Sequence, residues 1–183
     1  MSAPPIEMQD DWEIVTLPFQ IGSGRTIFSG GDTANRLRLS IFRSKTKRSL
    51  VGRVWFGDLT DGPPGHVHGG AVAYVLDEAM GSAAWMRNFP VVAAKLSFEY
   101  LRMSPLKVEL AIEAEVLQTT DRRVFLSAEL RLLSGEVCVR ASGEFARLSK
   151  AKLERLAIEH GSAVTAQDFA ALQGNKALLW AAE

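Results

Sequence analysis

The feature that most constrains the fold is an interruption. Between Gly70 and Arg87 runs GAVAYVLDEAMGSAAWMR, which has no period-two pattern and carries only two charged residues before its final arginine. A helix that is apolar nearly all round is a buried helix. On either side the periodicity is that of strands with one face on a core. Before the interruption, RLRLSIF sets Leu37, Leu39 and Ile41 against Arg36, Arg38 and Ser40. SLVGRVWFG follows the polar turn RSKTKR, with Gly52 as a candidate bulge. After it come AKLSFEYL, with Leu96, Phe98 and Tyr100 on one side, and KVELAIEAEVL, with Val108, Leu110, Ile112, Ala114 and Val116 together. RVFLSAELRLL then aligns Val124, Leu126, Ala128, Leu130 and Leu132, and EVCVRASGEFARL aligns Val137, Val139, Ala141 and Phe145. The short links MSPL, TTDR and SGE predict that the last four strands form an antiparallel meander. The expected class is α+β, an antiparallel sheet of about six strands wrapped around one central helix.

The pattern covers residues 36–149. Residues 1–35 mix proline, glycine and acids and read as irregular, with at most short elements. Residues 150–183 read as a helical extension: SKAKLERLAIEH puts Leu153, Leu156 and Ala157 on one stripe before Gly161, and Trp180 anchors a later segment. A chain of 183 residues with 47% apolar and 23% charged residues suits one domain with a full core. Its 21 cationic and 21 anionic side chains cancel, which removes the electrostatic case for nucleic acid or an anionic membrane surface. No apolar run is long enough for a membrane span, and the first residues carry acids where a signal peptide would be basic, so the expected location is the cytoplasm. Cys138 is the single cysteine, which excludes an internal disulfide and a cysteine-based zinc site.

The chain has no phosphate loop, no GxGxxG after a strand, no GxSxG elbow and no HExxH. What remains is DGPPGHVHGGAVAYVLDEAMG, residues 61–81, where Gly69 and Gly70 open the helix. The first N–H groups of a helix lack internal partners and sit at the positive end of its dipole, so they suit an anion or a developing oxyanion. A glycine there lets a carbonyl approach. Asp77 lies two turns further on, and its neighbours at helical spacing, Ala73, Tyr74, Met80 and Gly81, offer no countercharge. A buried carboxylate without a partner has a raised pKa and suits a general base or nucleophile. The bland alternatives are that Asp77 faces solvent or pairs with Arg102, and Glu78, one step round the helix, competes for the role. Gly70 and Asp77 are separated by about 10 Å along the axis, too far for one carbonyl to touch both. If both serve one reaction, they come from two subunits related by a two-fold axis.

GPPGHVHGGAVAYVLDEAMG, the strand KLSFEYLRMSPL and the turn TTDRRVF resemble hotdog-fold acyl-CoA thioesterases, in the branch of the phenylacetate-pathway thioesterase and the thioesterase-superfamily members. The resemblance runs from Arg36 to Leu148 and covers neither tail. It implies hydrolysis of an acyl-CoA thioester without cofactor or metal, by a homodimer or a dimer of dimers. It further implies Asp77 as general base or nucleophile, the N–H at Gly69 on the thioester carbonyl, and His68 shaping the pocket. Two departures stand out: Ala93, just before the strand AKLSFEYL, replaces the usual Thr or Ser that helps place water, and YxRPxPL is YLRMSPL, which keeps Arg102 and Pro105. Ser97 and Ser82 are the candidates to replace the missing hydroxyl.

Simpler readings stand beside these. His66 and His68 form HxH, but the adjoining prolines and glycines argue against a metal pair. His160 reads as capping or solvent-exposed, and Cys138, on a strand face with Arg140 and Ser142, as a bystander thiol. Arg43, Lys45, Lys47 and Arg48 read as a solvated turn, while Arg122 and Arg123 are the better candidates for the phosphates of coenzyme A. Trp55, Trp85, Phe98 and Tyr100 read as core ahead of a cofactor stack, with an acyl tunnel beside the helix as a second place for some of them. Three classes of function remain open: a thioesterase; a hotdog hydratase or dehydratase, which needs a paired histidine and acid; and a non-catalytic acyl-CoA sensor or interaction module, which Ala93 keeps in play.

Overall fold

The computed structural model describes residues 3–15, 36–149, 151–152 and 155. The expected stripe of Leu153, Leu156 and Ala157, together with His160, Gly161 and Trp180, lies outside these residues. Strand β1 is Trp12–Ile14, β2 Leu37–Ser44 and β3 Leu50–Phe56; helix α1 is Gly69–Met86; β4 is Val91–Tyr100, β5 Glu109–Thr119, β6 Arg123–Leu132 and β7 Val137–Arg147. The strands form one sheet in the order β1-β2-β3-β5-β6-β7-β4, with every neighbouring pair antiparallel.

The strand beyond the expected six is β1, three residues too short for a periodicity to show. Side chains hold it in place. Trp12 stacks on Phe42 with ring centroids 4.9 Å apart, the Arg53 guanidinium lies 4.5 Å over the Trp12 ring, and Asp11 accepts from Ser44 Oγ and from Thr46 N–H. That first hydrogen bond leads the causes that hold the Asp11 carboxyl below its ordinary pKa. Arg43 pairs with Glu13, and Lys47 with Glu113, so this basic turn is tied to its neighbours.

The meander reading is corrected. Of the last four strands only β5, β6 and β7 follow one another as neighbours; β4 pairs with β7 at the far edge. At 18 residues α1 is about 27 Å long, more than the roughly 19 Å across four strand spacings, so it delivers the chain beyond β7. Residues 101–108 are accordingly no hairpin. Their backbone bonds go elsewhere: Leu101 and Arg102 N–H donate to the Cys138 carbonyl, Leu106 N–H to Gly65, and Lys107 N–H to Phe56, while Ser104 accepts from Val67 N–H. Val108 precedes β5 and is exposed, so it leaves the predicted apolar row. The same segment packs over Cys138, which is fully buried instead of sharing an open face with Arg140. The pairing of β6 with β7 shifts register between Leu130 and Arg131, close to that point.

One sheet face carries the core: Leu50, Val54 and Phe56 of β3; Leu110, Ile112 and Ala114 of β5; Val124, Leu126, Ala128 and Leu130 of β6; and Val139, Ala141 and Phe145 of β7. Against them α1 buries Val72, Val75, Leu76, Ala79, Met80 and Ala83. Each large buried side chain contributes about 1.5–3 kcal/mol of transfer free energy. The opposite face carries charge pairs, Arg53 with Glu109, Arg123 with Glu144, and Arg131 and Arg140 with Glu129. Gly52 makes no bulge, since β2 and β3 stay in register through it. It is glycine because a Cβ there would lie 2.4 Å from the Ser40 carbonyl oxygen.

The helix also departs from expectation. It is buried on one side only, and Ala73, Tyr74, Asp77, Glu78, Gly81 and Trp85 form a half-buried stripe along the other. It ends in a Schellman motif: Asn88 takes φ 60°, its N–H donates to Trp85, and Phe89 N–H donates to Ala84.

Candidate active site

The helix start is built by its approach loop. Asp61 bridges to Val67 and His66 to Pro105, so the segment 61–68 is stitched to itself and to residues 104–106. His68 is the N-cap of α1. Its backbone is extended (φ −62°, ψ 133°), its carbonyl accepts from Ala71 N–H at 2.9 Å and Val72 N–H at 3.3 Å, and its Nδ1 accepts from Gly70 N–H at 3.0 Å. An accepting Nδ1 requires the neutral ring with its proton on Nε2. His66 turns its Nδ1 to the Pro64 carbonyl at 2.9 Å. Both imidazoles of HxH are thus engaged within the loop.

Of the two glycine N–H groups predicted to face a carbonyl, the structure separates the roles. Gly70 N–H is taken by His68, and a Cβ on Gly70 would come within 3.0 Å of that Nδ1. Gly69 N–H has no hydrogen-bond partner among the described residues. Gly69 lines a cavity of about 320 Å³ together with Pro63, Val72, Tyr100, Arg102 and Ser104. Tyr100, at the end of β4, is 52% exposed and therefore no core residue. Its hydroxyl donates to the Gly69 carbonyl at 2.8 Å. Burial pushes its pKa above the ordinary 10.0, so the hydroxyl keeps its proton.

Asp77 opens on a different cavity, of about 330 Å³, between α1 and the first residues of β4. Glu78, Ser82, Trp85, Ala93 and Phe145 share its walls. The expectation of a buried, unpartnered carboxylate is corrected: Asp77 is half-buried and is engaged by a neighbouring group. Arg102 forms its ion pair with Glu136, at 2.9 Å. Ala93 lies within β4, opposite Phe145 and just before a bulge, and not ahead of the strand. Of the two candidate hydroxyls, Ser82 lines the Asp77 cavity, is 1% exposed and makes no hydrogen bond to a described residue. Ser97 is on the exposed part of β4, opposite Ser142, and does not line this cavity.

The arginines divide between the two places. Arg102 lines the Gly69 cavity. Arg122 and Arg123 sit at the β5–β6 turn, where the Arg122 carbonyl accepts from Arg147 N–H beside Leu148, a wall of the Asp77 cavity. Arg123 pairs with Glu144 at 2.7 Å. Trp55 is buried as expected, while Trp85 is half-buried on the cavity wall. Tyr100 is the residue that sequence reasoning misplaced most: its alternation with Phe98 is real, but the edge strand runs past the core before reaching it.

Comparisons with known proteins agree with this geometry. Residues 64–139, from the approach loop to β7, match the Thioesterase superfamily. Acyl-coenzyme A thioesterase THEM4 of Xenopus laevis is 32% identical over 91 residues, which is 50% of this chain and 41% of that protein. Acyl-coenzyme A thioesterase THEM5 of Homo sapiens is 24% identical over 109 residues, 59% of this chain and 44% of that protein. The chain thus spans less than half the length of these curated relatives. A thioesterase superfamily protein of known crystal structure superposes with a TM-score of 0.57 at 30% identity, covering 59% of this chain and 53% of the other. The PaaI protein from the phenylacetic acid degradation operon of E. coli shares the fold, with a TM-score of 0.54 at 16% identity over 62% of this chain and 80% of its own. No helix among the described residues is long and apolar enough to cross a membrane. Residues 64–139 are thus similar to the Thioesterase superfamily, and the described helix and strands form a hotdog fold.

Proposed function

We propose that the protein hydrolyses acyl-CoA thioesters to a free acid and coenzyme A. The observation that carries this reading is the open N–H of Gly69 at the start of α1, with a carboxylate, Asp77, in a second cavity along the same helix. The thioester carbonyl accepts from Gly69 N–H, which is aimed by its helix and strengthened by the dipole. Asp77 takes a proton from water as the water attacks the carbonyl carbon, or attacks that carbon itself to form an anhydride that water then opens. In either case the C–S bond breaks, the sulfur leaves as the coenzyme A thiolate, and the proton ends on that sulfur or in solvent.

Gly69 and Asp77 belong to different cavities of one protomer, so the reading includes a homodimer, or a pair of dimers, in which each site takes Gly69 from one chain and Asp77 from the other. The half-buried stripe from Ala73 to Trp85 supplies the face for that packing. Arg102, Arg122 and Arg123 are assigned to the phosphates of coenzyme A. The catalytic unit is residues 36–149, flanked by the segments 1–35 and 150–183.

One observation favours a second reading, an acyl-CoA-binding protein without turnover: Ala93 lines the same cavity as Asp77 and has no hydroxyl. A hydratase needs a paired histidine and acid, and no histidine among the described residues lines the Asp77 cavity. The deciding experiment is a panel of acyl-CoAs assayed with a thiol-detecting dye, on the parent protein and on Asp77→Asn and Glu78→Gln. Hydrolysis that falls by about two to four orders of magnitude in Asp77→Asn, with folding unchanged, is the expected result. Loss in Glu78→Gln alone moves the role to Glu78, and binding without hydrolysis by the parent protein establishes the second reading.

A further inference from the structure

Resting on the thioesterase reading, we infer that Tyr100 is a positioning residue for the oxyanion donor: its hydroxyl, on the Gly69 carbonyl, locks the residue whose N–H faces the thioester.

Two peptide planes meet at Gly69 Cα. In the first, the His68 carbonyl accepts from Ala71 and Val72 N–H. In the second, the Gly69 carbonyl accepts from Tyr100 Oη at 2.8 Å and Gly70 N–H donates to His68 Nδ1 at 3.0 Å. Every polar atom of the two planes is tied except one, Gly69 N–H. Two successive glycines at a helix start are the residues least able to hold a direction by themselves, because neither has a Cβ to restrict its dihedrals and helix ends fray. A donor contributes most to an oxyanion when it needs no reorganisation at the moment of reaction. Tyr100 supplies that restraint from β4, 31 residues away in sequence, and its ring lies against Gly69, where an added Cβ would sit in ordinary contact 3.4 Å from Oη. An exposed tyrosine could satisfy its hydroxyl with water. Its direct bond to the first carbonyl of α1 is what makes it part of the donor's support.

The test is Tyr100→Phe, which keeps the ring and deletes the hydroxyl. Its kcat is expected to fall about tenfold, less than the loss of a whole oxyanion donor, with KM within about twofold. Glycine-labelled NMR should show the Gly70 amide shifted, since its own peptide carbonyl has lost a hydrogen bond. In the parent protein, Gly70 N–H should exchange slowly with solvent and Gly69 N–H fast, a measurement that does not require the variant to fold. An unchanged kcat in Tyr100→Phe, while Asp77→Asn is inactive, overturns the role of Tyr100 and leaves the thioesterase reading intact. A lower kcat with an unshifted Gly70 amide, or equal exchange of the two glycine amides, overturns it as well. A parent protein that hydrolyses no acyl-CoA brings down the thioesterase reading and this role together.

Discussion

Gly69 and Asp77 lie on one helix but open on two separate cavities, one facing residues 100–104 and the other facing Val91–Ala93. Eight residues at 1.5 Å each put them about 12 Å apart along the axis, so a single thioester meets both only across two chains.

Complementation between defective chains tests this. Gly69→Pro deletes the N–H while respecting the helix, because proline is accepted at the first helical position and His68 is already extended as a residue before proline must be. That variant should lose about a hundredfold to a thousandfold in kcat, and Asp77→Asn about two to four orders of magnitude. Refolding the two together makes half of the dimers mixed, each with one intact site of two, so activity should return to about a quarter of the parent value. A mixture that stays inactive, or light scattering that finds an active monomer, rules out the shared site.

Ala93→Thr should raise kcat by up to about tenfold and leave KM nearly unchanged, since a hydroxyl in the Asp77 cavity would act on the attacking water in the transition state. The backbone accepts threonine readily, as position 93 is an exposed residue of an edge strand. Equal or lower turnover in a folded variant would show that another group, with Ser82 the buried hydroxyl on the same wall, already holds the water.

Burial pushes the Cys138 thiol above its ordinary value of 9.0, with Ser104 opposing the shift. A raised pKa in the folded state means a contribution to stability that is fully present below about pH 9 and is lost as pH rises through the folded value. Urea unfolding at successive alkaline pH values should show that loss, and Cys138→Ala should flatten part of it. At neutral pH the thiol should react with a disulfide reagent only as fast as the protein unfolds. Rapid labelling of folded protein would contradict its burial.

Much of this architecture was legible along the chain because it is local. The alternation in RVFLSAELRLL names Val124, Leu126, Ala128 and Leu130 as core, and all four are buried. The apolar run after Gly69 names the helix to within a residue at each end. What tertiary structure alone decided are relations between distant segments. A link such as MSPL reads as a hairpin turn, yet β4 pairs with β7, because β5 already has β3 and β6 on its two sides. Cys138 alternates with exposed residues and is buried all the same, covered by Leu101 to Ser104. Gly69 and Gly70 are equivalent in the sequence. The fold makes them different, since His68 takes the N–H of one and Tyr100 holds the carbonyl of the other, leaving a single donor open. Periodicity records which face of an element avoids water; it carries no record of which remote side chain completes a hydrogen bond, because that depends on where the chain returns.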